Sequence, residues 1–386
     1  MIAYNKEWLK NLLVRQEAAE MYHDKCISKP ELEMIEAKFP APFYTPNFFI
    51  RVGLFILTTI ILFFSFGLLA LLFIGNSDGA IGGMAIFFGM LSIAGLEFMV
   101  QTKRHYRSGV DDALLWISAM LIFGGISFMT DAGPIANNVL AFIISLYCVI
   151  RFTDRAMVPI AYLSLLGIFF FIATRLGVYG KMLVPFILMA VSLAIYLVVV
   201  KLRQAPRFLL YESCLQVARV SALICFYVAG NYFVVRELSN QMFDLQLPAG
   251  QGIPFGWLFW IFTCAIPVLY LTRGIQKKDV VLIRVGLLLI AAIVFTVKYY
   301  YHIASIEAIM ATGGALITGI AYALSVYLKE PKYGFTLKNQ RSEDGREKLE
   351  VESLVVSQTF SAQEAVPEVT NFGGGSFGGA GSSGQF

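Results

Sequence analysis

The chain has 386 residues, 58% hydrophobic and only 15% charged, with a formal net charge of +4 and a mean hydropathy of +0.70. Soluble domains carry about a quarter charged residues, so an ordinary soluble protein is excluded, and the modest charge implies no nucleic-acid partner. Apolar runs of about 18 residues or more match a hydrocarbon core of about 30 Å, while the short alternating segments of a β-barrel do not occur. The expected fold class is all-α: a polytopic transmembrane helix bundle whose first partner is the lipid bilayer.

Residues 1–47 read as a cytoplasmic helical hairpin. Trp8, Leu9, Leu12 and Leu13 recur at helical spacing, followed by Ala19 and Tyr22. A second helix opens at Ser28, with Glu31 completing a capping box and Pro30 in the first turn. Pro40, Pro42 and Pro46 stop it. The apolar face of this hairpin needs a support, which is the membrane surface, the bundle or a cytoplasmic protein partner. The first apolar run begins near Phe48, too late in the chain for a cleaved signal peptide.

Residues 48–328 form the expected bundle, with ten candidate spans: 52–74, 80–101, 110–129, 134–150, 157–174, 182–200, 214–235, 253–272, 279–297 and 304–328. The fourth is the weakest, because Asn137 and Asn138 interrupt it. Numbering the connecting segments alternately places 26 of the 30 Lys and Arg residues on one side and 4 on the other. By the positive-inside rule both termini are then cytoplasmic. Lys298 to Ser305 becomes a short outer loop, with Tyr299, Tyr300 and Tyr301 at the level of the aromatic belt. Residues 329–386 are polar and irregular and end in NFGGGSFGGAGSSGQF. That composition predicts a disordered, flexible cytoplasmic tail, with Phe372, Phe377 and Phe386 as weak adhesive points.

Motifs for chemistry are few. Cys26, Cys148, Cys214, Cys225 and Cys264 show no CxxC pairing and read as small bundle residues. His23, His105 and His302 lie in three different segments, which argues against a shared metal. No nucleophile elbow, P-loop, HExxH or cofactor motif is present, so no catalytic, metal or cofactor residue is assigned and an enzyme is disfavoured.

Charges inside the spans are the stronger lead, because each is costly there and needs a partner. Toward the basic side, Glu97 lies inside the second span, and Asp111 and Asp112 open the third. Glu212, Gln216 and Arg219 share one helical face at the start of the seventh. A Glu97–Arg219 pair would join the second and seventh spans; alternatively Arg219 snorkels to the headgroups. On the other side, Lys298 and His302 are four apart. Glu307 begins a stripe with Ala311, Ala315, Gly319 and Ala323 that lets helices approach closely. Glu307 is therefore expected to face the bundle and take Lys298 or His302 as its cation, with Arg236 as a rival.

The hairpin with Trp8, the CIS turn at Cys26–Ser28 and the KFP exit at Lys38–Pro40, followed by many spans, resembles bacterial membrane proteins of the domain of unknown function 2157 family. The stretch RSGVDDALLWISAMLIFGGISF after Tyr106 is similar to that family's third span. The ending KYYYH before a small-residue helix resembles a sister family whose helix carries a Lys-Ser pair; here Glu307–Ala308 stands in that place. The tail is similar to glycine-phenylalanine tails of bacterial envelope proteins. The resemblance implies a bacterial inner-membrane location and no particular activity.

Two functions of different class follow. One is a non-enzymatic envelope scaffold or membrane sensor that recruits cytoplasmic partners through its termini. The other is a small-molecule or ion transporter of two five-span halves in inverted orientation, with Asn137–Asn138, Pro185 and Pro267 as places where helices could break. Residues 52–176 and 182–328 show no internal similarity to support the halves, and the oligomeric state has no signature in the sequence.

Overall fold

The computed structural model describes residues 2–23, 25–71, 78–243, 253 and 255–300, with six scattered positions between 314 and 326. The chain divides into two compact units, Met1–Ile306 and Glu307–Phe386. In the second, the described residues Gly314, Ala315, Thr318, Gly319, Tyr322 and Val326 are helical. The rest of the expected tenth span, His302, Glu307, Tyr301 and the tail 329–386 lie outside the described residues.

The first unit is all-α. Two short helices, α1 (Lys6–His23) and α2 (Lys29–Lys38), precede a series of long ones: α3 (Phe48–Leu71), α4 (Asp78–Gln101), α5 (Val110–Thr130), α6 (Pro134–Phe152), α7 (Met157–Arg175) and α8 (Gly177–Arg203). A 3-10 turn at Pro206–Tyr211 leads into α9 (Glu212–Gly230), α10 (Tyr232–Phe243), α11 (Gly256–Lys277) and α12 (Val280–Tyr300). Nine helices among the described residues are long and apolar enough to cross a membrane, so the chain is a multi-pass helical membrane protein. Their outward faces carry large apolar side chains such as Phe64, Met90, Leu193 and Leu288, which in this setting meet lipid.

The hairpin forms as its local signals dictate. The Glu31 carboxylate accepts hydrogen bonds from the Ser28 backbone N–H at 2.7 Å and its hydroxyl at 2.8 Å, and these bonds hold the Glu31 carboxyl below its usual pKa. Arg15 pairs with Glu36 at 3.3 Å, and the Asn11 amide donates to the Pro40 carbonyl at 2.9 Å. The apolar face rests on the bundle. Tyr4 and Leu9 are buried in one cluster with Leu96 and Val100 of α4, Leu114 and Leu115 of α5, Cys148 and Phe152 of α6, and Met157 of α7. The Ala3 N–H donates to the Arg151 carbonyl at 2.7 Å. Behind the hairpin, the chain at Tyr44 is pinned to the α4–α5 turn by backbone bonds of 3.0 and 3.3 Å to Arg104 and Tyr106.

The tightest helix pair is α4 with α5, and small residues are the reason. A Cβ on Gly125 would lie 2.6 Å from the Gly82 carbonyl, and one on Gly89 would lie 3.1 Å from the Ser118 carbonyl. Backbones this close gain dispersion contact along their whole length. By contrast α3 lies at the periphery, with none of its apolar window buried in the protein. Phe55 against Trp116 and Phe66 against Phe88, with ring centroids 5.5 and 5.8 Å apart, tie it to α5 and α4.

Three details differ from the sequence expectation. The fourth span is not interrupted: α6 runs through Asn137 and Asn138, whose amides donate to the Ala132 and Pro134 carbonyls at 2.9 and 2.8 Å. Each side-chain amide N–H is satisfied within the first turns of the helix, while the Asn137 Oδ1 has no hydrogen-bond partner among the described residues. Likewise α8 and α11 continue through Pro185 and Pro267. The break falls in the seventh span instead, where Asn231 adopts an extended backbone between α9 and α10. Its Oδ1 accepts from the Phe233 N–H at 3.0 Å, and Thr263 Oγ1 accepts from the Tyr232 N–H at 3.0 Å. Side-chain oxygens thus replace the carbonyls that a continuous helix would have supplied.

Candidate functional site

A cavity of about 200 Å³ opens where the N-terminal segment meets the bundle. Its wall brings together Tyr4, Arg51 of α3, Arg107 with Asp111 and Asp112 at the start of α5, and Asp154 with Arg155 from the α6–α7 turn. Three Arg and three Asp in one small space look balanced, but the hydrogen bonds distribute them unevenly.

All three carboxylates are engaged. Asp111, 3% exposed, accepts from the Arg107 N–H at 2.7 Å, the Ser108 N–H at 2.8 Å and the Ser108 hydroxyl at 3.0 Å. This folding back is possible because Gly109 turns the chain at φ +91°, and a Cβ there would collide with the Arg51 carbonyl. Asp112 receives Nε and Nη2 of Arg51 at 3.0 and 2.6 Å. Asp154 caps α7 by accepting from the Met157 N–H at 2.8 Å, and Trp116 Nε1 reaches its other oxygen at 3.4 Å.

Of the three arginines in this cavity, only Arg51 has a carboxylate among the described residues. Among the described residues, none lies within ion-pair distance of Arg107 or Arg155. Arg107 stands 5.1 Å from the centroid of the Tyr106 ring. Burial, and then the charge of Arg107, lowers the pKa of Arg155. Two like-charged guanidiniums therefore share one cavity with no carboxylate at ion-pair distance from either among the described residues, while Asp111 and Asp154, bonded only by neutral donors, stand in the same wall. Tyr4 and Tyr106 meet edge to face at 5.0 Å. Burial raises both phenols, with the nearby Asp111 charge adding to the effect at Tyr4, so both hydroxyls stay protonated at neutral pH. The arrangement can hold an anion by charge-assisted hydrogen bonds.

It offers no nucleophilic centre. His105 Nδ1 lies 2.7 Å from the Ser108 hydroxyl, which donates to Asp111, but Ser108 is completely buried. This Ser, His and Asp row staples the α4–α5 turn. No group of three potential metal ligands occurs among the described residues.

Of the residues singled out from sequence, Asp111 and Asp112 line this cavity and Glu97 supports it from behind. The expected Glu97–Arg219 pair does not form. Glu97 binds Arg151 through two bonds of 2.8 and 3.0 Å and also receives the Gln101 amide at 2.9 Å. Because the Arg151 carbonyl holds Ala3, this ion pair also anchors the N-terminal segment. Arg219 pairs with Asp279, in the turn before α12. Glu212 pairs with Arg203 at the end of α8. The sequence reading takes Arg51, Arg107 and Arg155 only as basic charges of connecting segments and does not single out Asp154; the clue is the short basic turn lying close to the Asp111–Asp112 pair.

The opposite end is organised by aromatic packing. Tyr300 packs edge-on against Tyr232 at 5.1 Å, beneath the guanidinium of Arg236 at 5.0 Å. It is thus a packing residue, while the half-exposed Tyr299 suits the interfacial role. Arg236, 3% exposed, lies 3.6 Å from Glu237. The Lys298 amine has no hydrogen-bond partner among the described residues. No protein-family model, curated protein or solved structure matches this chain.

Proposed function

We propose that this protein is a membrane sensor for a small anion of the phosphate or carboxylate class, bound between Arg107 and Arg155 and reported by the N-terminal hairpin. The observation that carries the reading is the pair of guanidiniums without a carboxylate facing a cavity roofed by Tyr4. An anion between them removes the mutual repulsion of the cations and converts both into charge-assisted donors. The roof is the segment that joins the docked hairpin to α6 through Ala3, so the site is complete only while the hairpin is docked. A ligand that binds the docked form alone stabilises it by RT ln(1 + [L]/Kd), about 2.7 kcal/mol at a hundredfold excess over Kd. Anion concentration then becomes the fraction of hairpin docked.

On this reading both termini are cytoplasmic, which the asymmetry of 26 against 4 basic residues supports. The hairpin presents Met21, Tyr22 and Met34 outward, toward a cytoplasmic protein. We place the chain in a bacterial inner membrane, within the domain of unknown function 2157 group that its hairpin and third span resemble.

The test is trypsin cleavage at Lys25, in the turn between α1 and α2, in the purified protein, with phosphate or citrate titrated in. Protection should rise with anion concentration in the wild type and be lost in Arg107→Gln and Arg155→Gln. Cleavage that ignores every anion tried would sink the sensor reading. Uptake of the anion into proteoliposomes would favour the transporter instead.

A further inference from the structure

A second concavity, of about 310 Å³, lies between α8, α9 and α11. Its floor is apolar, with Leu193, Leu223, Phe226 and Leu269. Leu193 and Leu269 are each about half exposed, so the groove opens sideways, toward lipid. Along α11 its wall changes character with height. Leu269, Arg273 and Lys277 are spaced four apart and share one helical face. That face runs from apolar to cationic as the helix reaches its end at Lys277.

The cationic end is built from more than loose surface lysines. Arg273 and Lys277 have no carboxylate within ion-pair distance among the described residues. Behind them the Arg219 guanidinium lies 5.8 Å from the Tyr196 ring centroid, and Tyr196 lines the groove. Asp279, the carboxylate at this place, is already taken by Arg219. Two full positive charges therefore stand at the mouth of an apolar slot, at the level where a membrane helix ends. A soluble anion would find the charges but could not fill the slot. A neutral lipid would fill the slot and leave the charges unanswered.

We infer that this groove is a site for an anionic phospholipid, its phosphate held by Arg273 and Lys277 and one acyl chain lying over Leu269 and Phe226. Each basic side chain near an anionic headgroup favours binding about fivefold. Chain burial adds a sequence-independent term common to all phospholipids. The site should thus prefer phosphatidylglycerol to phosphatidylcholine through its charge alone.

The experiment uses the full chain in mild detergent, with phosphatidylglycerol or phosphatidylcholine titrated in and bound lipid counted by native mass spectrometry. Wild type should retain phosphatidylglycerol preferentially, and the Arg273→Gln, Lys277→Gln double variant should lose that preference by about fivefold per cation. Arg207→Gln serves as the control, since Arg207 is exposed at the same end but lies outside the groove. Equal melting of all three proteins in phosphatidylcholine establishes that they are folded. The inference is overturned if wild type shows no preference, if the double variant keeps it, or if Arg207→Gln loses as much as the double variant.

Discussion

Each ion pair in this bundle joins two particular helices, and the partner decides what a substitution does. Arg219 is 8% exposed in its side chain and Asp279 20%. Removing one member of a buried pair costs about 3–5 kcal/mol; the residual exposure of Asp279 puts Arg219→Met near the lower end. In a double-mutant cycle read by thermal melting, Arg219 should couple to Asp279 and show no coupling to Glu97. Coupling to Glu97 would restore the pairing expected from sequence. Burial pushes the Asp279 carboxyl up, but the Arg219 hydrogen bond overrides this and leaves its pKa below the usual carboxylate value. A carboxyl depressed in the folded state adds stability that is present above its unfolded pKa and lost as pH falls through the folded one. Asp279→Asn should therefore flatten the acid limb of the melting profile. Glu97 and Arg219 were visible in the sequence as costly charges, but their partners were not, because pairing depends on which helices are neighbours. The Ser28–Glu31 box was legible because both its members lie within one turn.

At the scale of the element, the contrast between α4–α5 and α3 is one of side-chain size. Gly82, Gly89 and Gly125 bring two backbones together, whereas α3 is held by two aromatic contacts and the Arg51–Asp112 pair. Gly125→Ala places a methyl 2.6 Å from the Gly82 carbonyl, a backbone atom that cannot rotate aside. The helices must separate, at a cost of about 1–3 kcal/mol for overpacking. Gly124→Ala, with open space around its Cβ position, should be neutral or slightly stabilising. Equal melting of the two variants would show that the α4–α5 contact is loose. The small-residue stripe expected from sequence lies on the tenth span. The α4 series Gly82, Ala85, Gly89 and Ser92 has the same character, but it alternates three and four in spacing, so a search for a period of four passes over it.

For the whole molecule, nine of the ten expected spans correspond to long apolar helices, because an unbroken apolar run needs no knowledge of its neighbours to be recognised. The Asn231 break was not legible: its polar groups are satisfied by Thr263 and Thr296, residues far along the chain. Cys26 offers a direct test of orientation, being exposed in the hairpin; Cys148 and Cys214 are buried and Cys264 sits on the apolar surface of α11. A membrane-impermeant maleimide added to intact cells should leave Cys26 unlabelled, and label it once the membrane is opened. Labelling in intact cells would invert the topology and place the charged cavity outside.

The docking of the hairpin also fixes an order of events during synthesis. Tyr4 and Leu9 leave the ribosome ahead of the rest of their cluster, yet the surface that buries them is finished only when Phe152 and Met157 have emerged. At about 5–20 residues per second, that wait is on the order of ten seconds. For that time the nascent chain displays Tyr4 and Leu9 with the surface that buries them incomplete, within reach of a chaperone or the adjacent bilayer. Closing the roof over Arg107 and Arg155 is then the final assembly step of the N-terminal half, and its rate is set by translation of the first four spans.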